Sequence, residues 1–185
     1  MTMIFEAFPK IPRINRDVII TEKIDGTNAC IAIADDFDEL KVGSRSRWIT
    51  PEDDNFGFAR WVKENEDECR KLGPGIHYGE WWGAGIQRKY GLTEKRFSLF
   101  NTFRWADENV RPKCMSIVPV LYQGPLLNGN FDRIYSVDRM LNHLIVNGSV
   151  AAPGFMKPEG VVIFHTASQT LFKATCEKDE KPKNS

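Results

Sequence analysis

Helical periodicity is confined to two stretches of this chain, and almost every other apolar run is short, β-branched and closed by a turn signal. From Phe58 to Leu72 the side chains of Phe58, Trp61, Val62, Cys69 and Leu72 fall on one helical face, with charges opposite, until Gly73-Pro74-Gly75 stops the helix. The second stretch runs from Asp132 to Val146 and turns Ile134, Val137, Leu141, Leu144 and Ile145 inward. Strand patterns cover Asp17 to Ile24 and Asn28 to Ala34, followed by IHYGEWW, FSLFNTF, SIVPVL, GVVIFH and TLFKAT, the last two joined as a hairpin. Many short strands and two helices predict an α+β domain with mainly antiparallel sheets rather than a doubly wound parallel fold.

At 185 residues the chain has room for one core. We expect a single domain over residues 1–176 and a loose polar tail, EKDEKPKNS, over residues 177–185. With 42% hydrophobic and 27% charged residues the composition is that of a soluble globular protein. No apolar run approaches the roughly 18 residues that span a bilayer, and MTMIFEAFPKIP has no basic region followed by an apolar one. A cytoplasmic setting without a membrane partner is therefore expected. Lysine and arginine balance aspartate and glutamate at 25 each, so any nucleic-acid binding must come from a local patch. Cys30, Cys69, Cys114 and Cys176 are scattered, with neither a C-x-x-C nor a histidine cluster, which argues for reduced thiols and against zinc. The acidic DDFDE after the second strand lacks the glycine and spacing of a calcium loop and is read as a solvated hairpin loop.

The chemistry-bearing residues lie elsewhere. In Glu22-Lys23-Ile24-Asp25-Gly26-Thr27-Asn28 a lysine sits where a strand pattern stops, next to an acid and a glycine. A strand end followed by glycine presents its side chain at a cleft mouth and lets a ligand approach the backbone. A lysine amine can act as a covalent nucleophile once a neighbouring cation favours its neutral form, although K-x-D-G by itself also suits a surface lysine in a hairpin turn. Further elements follow in order. GSRSR offers Arg45 and Arg47 as forks for phosphate or carboxylate. HYGEWWG sets Glu80 in an aromatic strand, where an acid is costly without a partner. RFSLFN brings Phe97 and Phe100 together, one of them available to stack on a base. PEGVVIF and LFKAT place Glu159 and Lys173 in apolar strands. Trp81 and Trp82 read as core or cleft wall, and His77 and His165 as ordinary hydrogen-bonded histidines. Between Gln87 and Lys113, seven basic residues face three acidic ones, which suits a phosphate-tracking face and a generic surface equally.

This ordered set resembles the covalent nucleotidyltransferases, the superfamily of ATP-dependent ligases and mRNA capping enzymes, and within it the RNA ligase 2 type of RNA ligase. EKIDGTN is similar to that family's motif I, GEWWGAGIQRKYG to its G-E-x-x-G-x-G-I-Q stretch, and the F-x-x-F of RFSLFN falls at the family's distance after Glu80. The resemblance spans roughly Asp17 to Thr175. It implies a nucleotidyltransferase (ATP-grasp-like) ligase fold around a nucleotide cleft, with ATP and magnesium, or manganese, as cofactors. It implies that Lys23 forms a lysyl-AMP, that Glu22 positions adenine through its backbone carbonyl, and that Asp25 has a local role. Asn28 and either Arg45 or Arg47 would contact phosphate and the RNA end, Glu80 the ribose hydroxyls, and Phe100 the adenine face. Glu159 would engage metal or the lysine, and Lys173 the AMP phosphate. The implied partners are RNA ends, in a nicked duplex or a broken stem-loop, in a bacterial or phage-infected cell, with DNA ends and an accessory protein left open.

Three features depart from the family pattern. Motif V, usually K-x-K, is Lys173-Ala174-Thr175 here; Glu80 is followed by two tryptophans; and only about ten residues follow motif V, which leads us to expect no C-terminal nucleic-acid-binding domain. Other readings fit the same residues: a small DNA ligase, a GTP-dependent capping enzyme, or a nucleotide- or RNA-binding module with lapsed catalysis.

Overall fold

The computed structural model of the chain describes residues 4–128 and 134–177. In chain order the elements are β1 (Asp17–Lys23), β2 (Thr27–Ile33), β3 (Leu40–Ser44), β4 (Trp48–Ile49), α1 (Phe58–Glu64), α2 (Glu66–Arg70), β5 (Gly75–Gly83), β6 (Lys95–Leu99), β7 (Met115–Ile117), β8 (Val120–Pro125), β9 (Leu127–Asn128), β10 (Ile134–Tyr135), α3 (Ser136–Asn147), β11 (Gly160–His165) and β12 (Thr170–Thr175). They form a four-stranded sheet in the order β12-β11-β1-β8, a six-stranded sheet in the order β4-β3-β2-β5-β6-β7, and the short β10-β9 ribbon. Neighbouring strands pair antiparallel except β6 and β7. The α+β, mainly antiparallel architecture expected from the strand patterns is thus the observed one.

Each sheet buries one face under a helical layer. Val18 and Ile20 of β1 and Val161 and Ile163 of β11 pack with Leu144 of α3. Ala29 and Ile31 of β2, Trp81 of β5 and Phe97 of β6 pack with Phe58 and Val62 of α1 and Cys69 of α2. Strand alternation then turns Ile19, Thr21 and Lys23 of β1, and Asn28, Cys30, Tyr78 and Glu80 of the larger sheet, to the opposite faces. A third cluster, Ile24, Trp82, Tyr90, Val118 and Ala152, joins the two sheets where β1 runs on into β2.

Several boundaries differ from the sequence reading. The stretch from Phe58 to Leu72 is two helices, because Asn65 caps the first. Its amide N–H and its side-chain Nδ2 both donate to the Trp61 carbonyl, at 3.0 and 2.8 Å, and this local bonding competes with helix continuation. The apolar face survives the break, with Phe58, Val62, Cys69 and Leu72 all buried and Trp61 partly so. The helix expected from Asp132 begins at Ser136: Asp132 and Arg133 lie outside the described residues, and Ile134, expected on its inward face, forms β10 with Tyr135 instead, paired with β9. Ile145, expected inward, is exposed, because the stripe that meets the sheet runs through Val137, Met140, Leu141 and Leu144 and the next residue swings off it. The segment that carries Arg45 and Arg47 is the turn of the β3–β4 hairpin. Of the polar tail, Glu177 is exposed and residues 178–185 lie outside the described residues. No helix among the described residues is long and apolar enough to cross a membrane.

Candidate active site: a lysine and buried acids where the sheets meet

Lys23 is the last residue of β1, and its ladder partner on β11 is Gly160, the residue after Glu159. This pairing carries Lys23 Nζ to 2.6 Å from Glu159 Oε2, with the carboxylate buried and the lysine side chain 21% exposed. The glycine is required by the crossing: at Gly160, with φ of 154°, a Cβ would sit 2.2 Å from the carbonyl oxygen of Ala174 on β12. The chain then turns through Asp25 and Gly26 onto the second sheet. Gly26 lies so close over β5 that a Cβ would meet the Trp81 carbonyl oxygen at 2.4 Å. That approach lets the Gly26 amide donate to Glu80 Oε1 at 3.0 Å, while Asn28 Nδ2 donates to Glu80 Oε2 at 3.1 Å. Lysine, glycine and asparagine of the heptapeptide are therefore organised by two acids far away in sequence, Glu159 and Glu80.

Burial dominates the electrostatics of Glu80. Desolvation pushes its carboxyl up to about 7, with Glu159 and Asp25 adding in the same direction, while the Gly26 amide and Lys23 oppose the rise. Near neutral pH Glu80 can thus either donate or accept a hydrogen bond. Glu22 faces the other way on β1. It is buried toward the segment after α3 and accepts hydrogen bonds from Ser149 Oγ at 2.5 Å and from the Val150 and Ala151 amides at 2.8 Å each. Desolvation raises its pKa and those donors partly offset it. The Glu22 side chain is a buttress for that loop, and its backbone N–H donates to the Pro119 carbonyl at 2.9 Å.

Asp25 is held from the loop between β5 and β6. The Asp25 amide donates to the Tyr90 hydroxyl at 2.7 Å, and Arg88 Nε donates to Asp25 Oδ2 at 2.9 Å. Arg88 Nη1 also reaches the Lys157 carbonyl at 2.9 Å, two residues before Glu159. One side chain thus ties the segment after Lys23 to the segment before Glu159. The loop is wound to do so: Gln87, Lys89 and Tyr90 all have positive φ, which is uncommon outside glycine. Seven residues of mixed character, GIQRKYG, gave no composition or period that would mark Arg88 and Tyr90, and Ser149 had no signal at all.

The other sequence candidates are distributed as follows. Phe97 is core, whereas Phe100 is partly exposed just beyond β6, its amide bonded to the Tyr78 carbonyl at 3.0 Å. Arg45 and Arg47, left as alternatives, differ: Arg47 Nη2 is paired with Asp53 Oδ1 at 3.0 Å, and Arg45 is exposed with no ion-pair partner among the described residues. Lys173 is exposed on β12, opposite Val162. Because Phe172 and Ala174 line a groove beside α3, alternation turns Lys173 and Thr175 toward the face that carries Lys23. Thr175, standing where the family has its second lysine, pairs with Gly160 and so shares a row with Lys23. Trp81 and Trp82 are both buried in core clusters, donating to the Phe56 carbonyl and to Ser98 Oγ. His77 and His165 bond the Gly73 and Ile14 carbonyls. Within the basic run, Arg88, Arg96, Arg104 and Arg111 are bound to Asp25, Glu94 and the Leu72 and Trp105 carbonyls.

Among the described residues no group of three or more His, Cys, Asp or Glu is arranged to hold a metal ion. Beside the buried Glu80, the cleft offers the buried Glu159 carboxylate, ion-paired with Lys23, and Lys173 on the same face of the smaller sheet. This donor set suits a hard divalent cation that keeps several waters and rests on one carboxylate and a ligand's phosphates, not a protein-caged metal. The cleft thus holds an amine within hydrogen-bond distance of a carboxylate, with a further lysine on the same face, a set of groups of the kind that nucleotidyl transfer can use.

The sequence profile of the RNA ligase family matches residues 16–175. Solved structures of Naegleria gruberi RNA ligase share the fold. One variant with ATP and Mn is 19% identical with a TM-score of 0.62, over 87% of this chain and 50% of that chain. A second with ATP and Mn gives 18% and 0.64 over 89% and 51%. A third with AMP and Mn gives 18% and 0.63 over 88% and 50%. The chain therefore spans about half the length of the solved chains it matches. No curated protein matches its sequence.

Proposed function

Because the chain belongs to the RNA ligase family, we propose that it is an ATP-dependent RNA ligase that joins a 5′-phosphate to a 3′-hydroxyl through an AMP carried on Lys23. The observation that carries this reading is the 2.6 Å contact between Lys23 Nζ and Glu159 Oε2, at a strand end that Gly26 and Glu80 hold against the second sheet. In the first step the Lys23 amine attacks the α-phosphorus of ATP. A P–N bond forms, the bond to pyrophosphate breaks, and Glu159 Oε2 is placed to accept the proton from Nζ. Lys173 faces the transferring phosphate, Glu80 and Asn28 the ribose hydroxyls, and Phe100 the adenine ring. AMP then passes to the 5′-phosphate of an RNA, and the 3′-hydroxyl displaces it, forming the phosphodiester. Such transfers rest on positioning and charge neutralisation. A divalent cation, magnesium or manganese, would rest on Glu159 and supply neutralisation of phosphate charge; Naegleria gruberi RNA ligase has been solved with Mn and either ATP or AMP.

The test is self-adenylation. Incubation with α-labelled ATP and magnesium should label the chain, and Lys23→Ala should abolish the label. A label of equal strength in Lys23→Ala would overturn the reading. Lys173→Ala should retain a weakened reaction. Sealing of nicked RNA in preference to nicked DNA separates an RNA ligase from a small DNA ligase, and no adenylation with any nucleotide would favour a binding module. Repair of RNA ends in the cytoplasm of a bacterial or phage-infected cell is the setting we propose.

A further inference from the structure

We propose that the open face of the six-stranded sheet carries a stacking platform for unpaired RNA bases, formed by Trp48 and Tyr78 and continuous with Phe100. The inference rests on the RNA ligase reading and names where the single-stranded part of the substrate lies. Trp48 pairs with Gly43, Gly43 with Cys30, and Cys30 with Tyr78. The Phe100 amide bonds the Tyr78 carbonyl, so the row runs on to Phe100. Tyr78 and Cys30 lie two residues from Glu80 and Asn28, and alternation therefore puts the whole row on the face that carries those two residues.

Three large aromatics stand in this row 54%, 58% and 40% exposed, at Trp48, Tyr78 and Phe100. The two positions between Trp48 and Tyr78 hold small residues. A Cβ on Gly43 would lie 2.7 Å from Cys30 Sγ and 3.3 Å from the Trp48 indole, so the ring lies down over the glycine and keeps its outer face open. At about 4.8 Å per strand, Trp48 and Phe100 are roughly 19 Å apart along the row, which a few nucleotides at about 3.4 Å each can follow. Arg45, exposed on the β3–β4 hairpin with no ion-pair partner among the described residues, supplies charge for the backbone. Exposed aromatics beside unpaired cationic charge are what sequence-tolerant binding of single strands uses.

The experiment measures binding of the full chain, without ATP, to a short fluorescent 5′-phosphorylated single-stranded RNA at fixed salt. Trp48→Ala and Tyr78→Ala should each weaken binding about tenfold, and Trp48→Phe should restore most of it. Self-adenylation should persist in all three, which shows that they fold. Wild-type protein should bind a strand with abasic positions as weakly as the variants bind ordinary RNA. Undiminished RNA binding by Trp48→Ala and Tyr78→Ala would overturn the platform, as would wild-type protein that binds abasic and ordinary strands equally. Either result leaves the ligase reading standing. Failure of wild-type protein to adenylate would remove that reading while the binding data still decide the platform.

Discussion

Lys23 Nζ and Glu159 Oε2 stand 2.6 Å apart although 136 residues separate them in the chain. The contact exists because β1 and β11 pair with Lys23 opposite Gly160, which delivers the acid one residue before the crossing point. Glu159 is buried, so its ion pair with Lys23 is structural as well as chemical.

Lys23→Ala should therefore destabilise the fold, since it leaves Glu159 buried without its ammonium. The cost should lie near the lower end of the roughly 3–5 kcal/mol seen when a buried pair loses one member, because Lys23 is itself 21% exposed. The double variant Lys23→Met with Glu159→Gln should be more stable than Lys23→Ala alone. Urea unfolding of the set checks this, and strictly additive losses would show that the pair is not coupled.

Glu80 predicts a pH dependence. Its folded carboxyl is raised from 4.5 to about 7, so the native state holds a proton that the unfolded chain releases. Stability should fall as pH rises from about 4.5 to 7, by on the order of 2–3 kcal/mol, and level off above. Glu80→Gln should lose that slope and leave the rest of the profile in place. Denaturation midpoints measured across this range for both proteins provide the check; parallel curves would contradict it.

Gly26→Ala should lift the loop off β5, since the added Cβ meets backbone 2.4 Å away and the Trp82 Cβ at 2.7 Å. We expect a loss of about 1–3 kcal/mol from overpacking, together with at least tenfold slower self-adenylation, because the Gly26 hydrogen bond to Glu80 goes with it. Wild-type labelling rates in the variant would contradict the placement of the loop.

Arg88 holds Asp25 and the Lys157 carbonyl at once, through Nε and Nη1. Arg88→Ala should slow self-adenylation about tenfold while changing stability by less than about 1 kcal/mol, as the pair is partly exposed. Arg88→Lys should not restore the rate, because one ammonium does not reproduce a fork reaching two acceptors. Initial labelling rates for the two variants, beside their thermal midpoints, test it.

The mainly antiparallel α+β class, the longer strands and the anomalous polar residues within them were legible locally. Strand patterns mark β-branched runs, glycines mark crossings, and an acid within an apolar strand is anomalous wherever it appears, as at Glu80 and Glu159. The unbroken periodicity from Phe58 to Leu72 concealed the helix end at Asn65, since a capping side chain does not disturb an apolar stripe. Arg88, Tyr90 and Ser149 were invisible for a different reason. Their importance lies wholly in which backbone or carboxylate they reach, and nothing in their own neighbourhood encodes that.

Sequence alone determined which residue types are available at each strand end: a lysine before I-D-G, a buried acid before G-V-V, an arginine pair in a Ser/Gly segment. Tertiary structure decided which of them act together. It set Glu22 as a buttress for the loop after α3, bound Arg47 to Asp53 and left Arg45 exposed, and put Thr175 in the row of Lys23. The physical reason is register. A side chain's facing alternates along a strand and its neighbours are fixed by pairing across the sheet, so the contacts of Lys23 with Glu159 and of Asn28 with Glu80 are properties of the assembled ladders and not of any one segment.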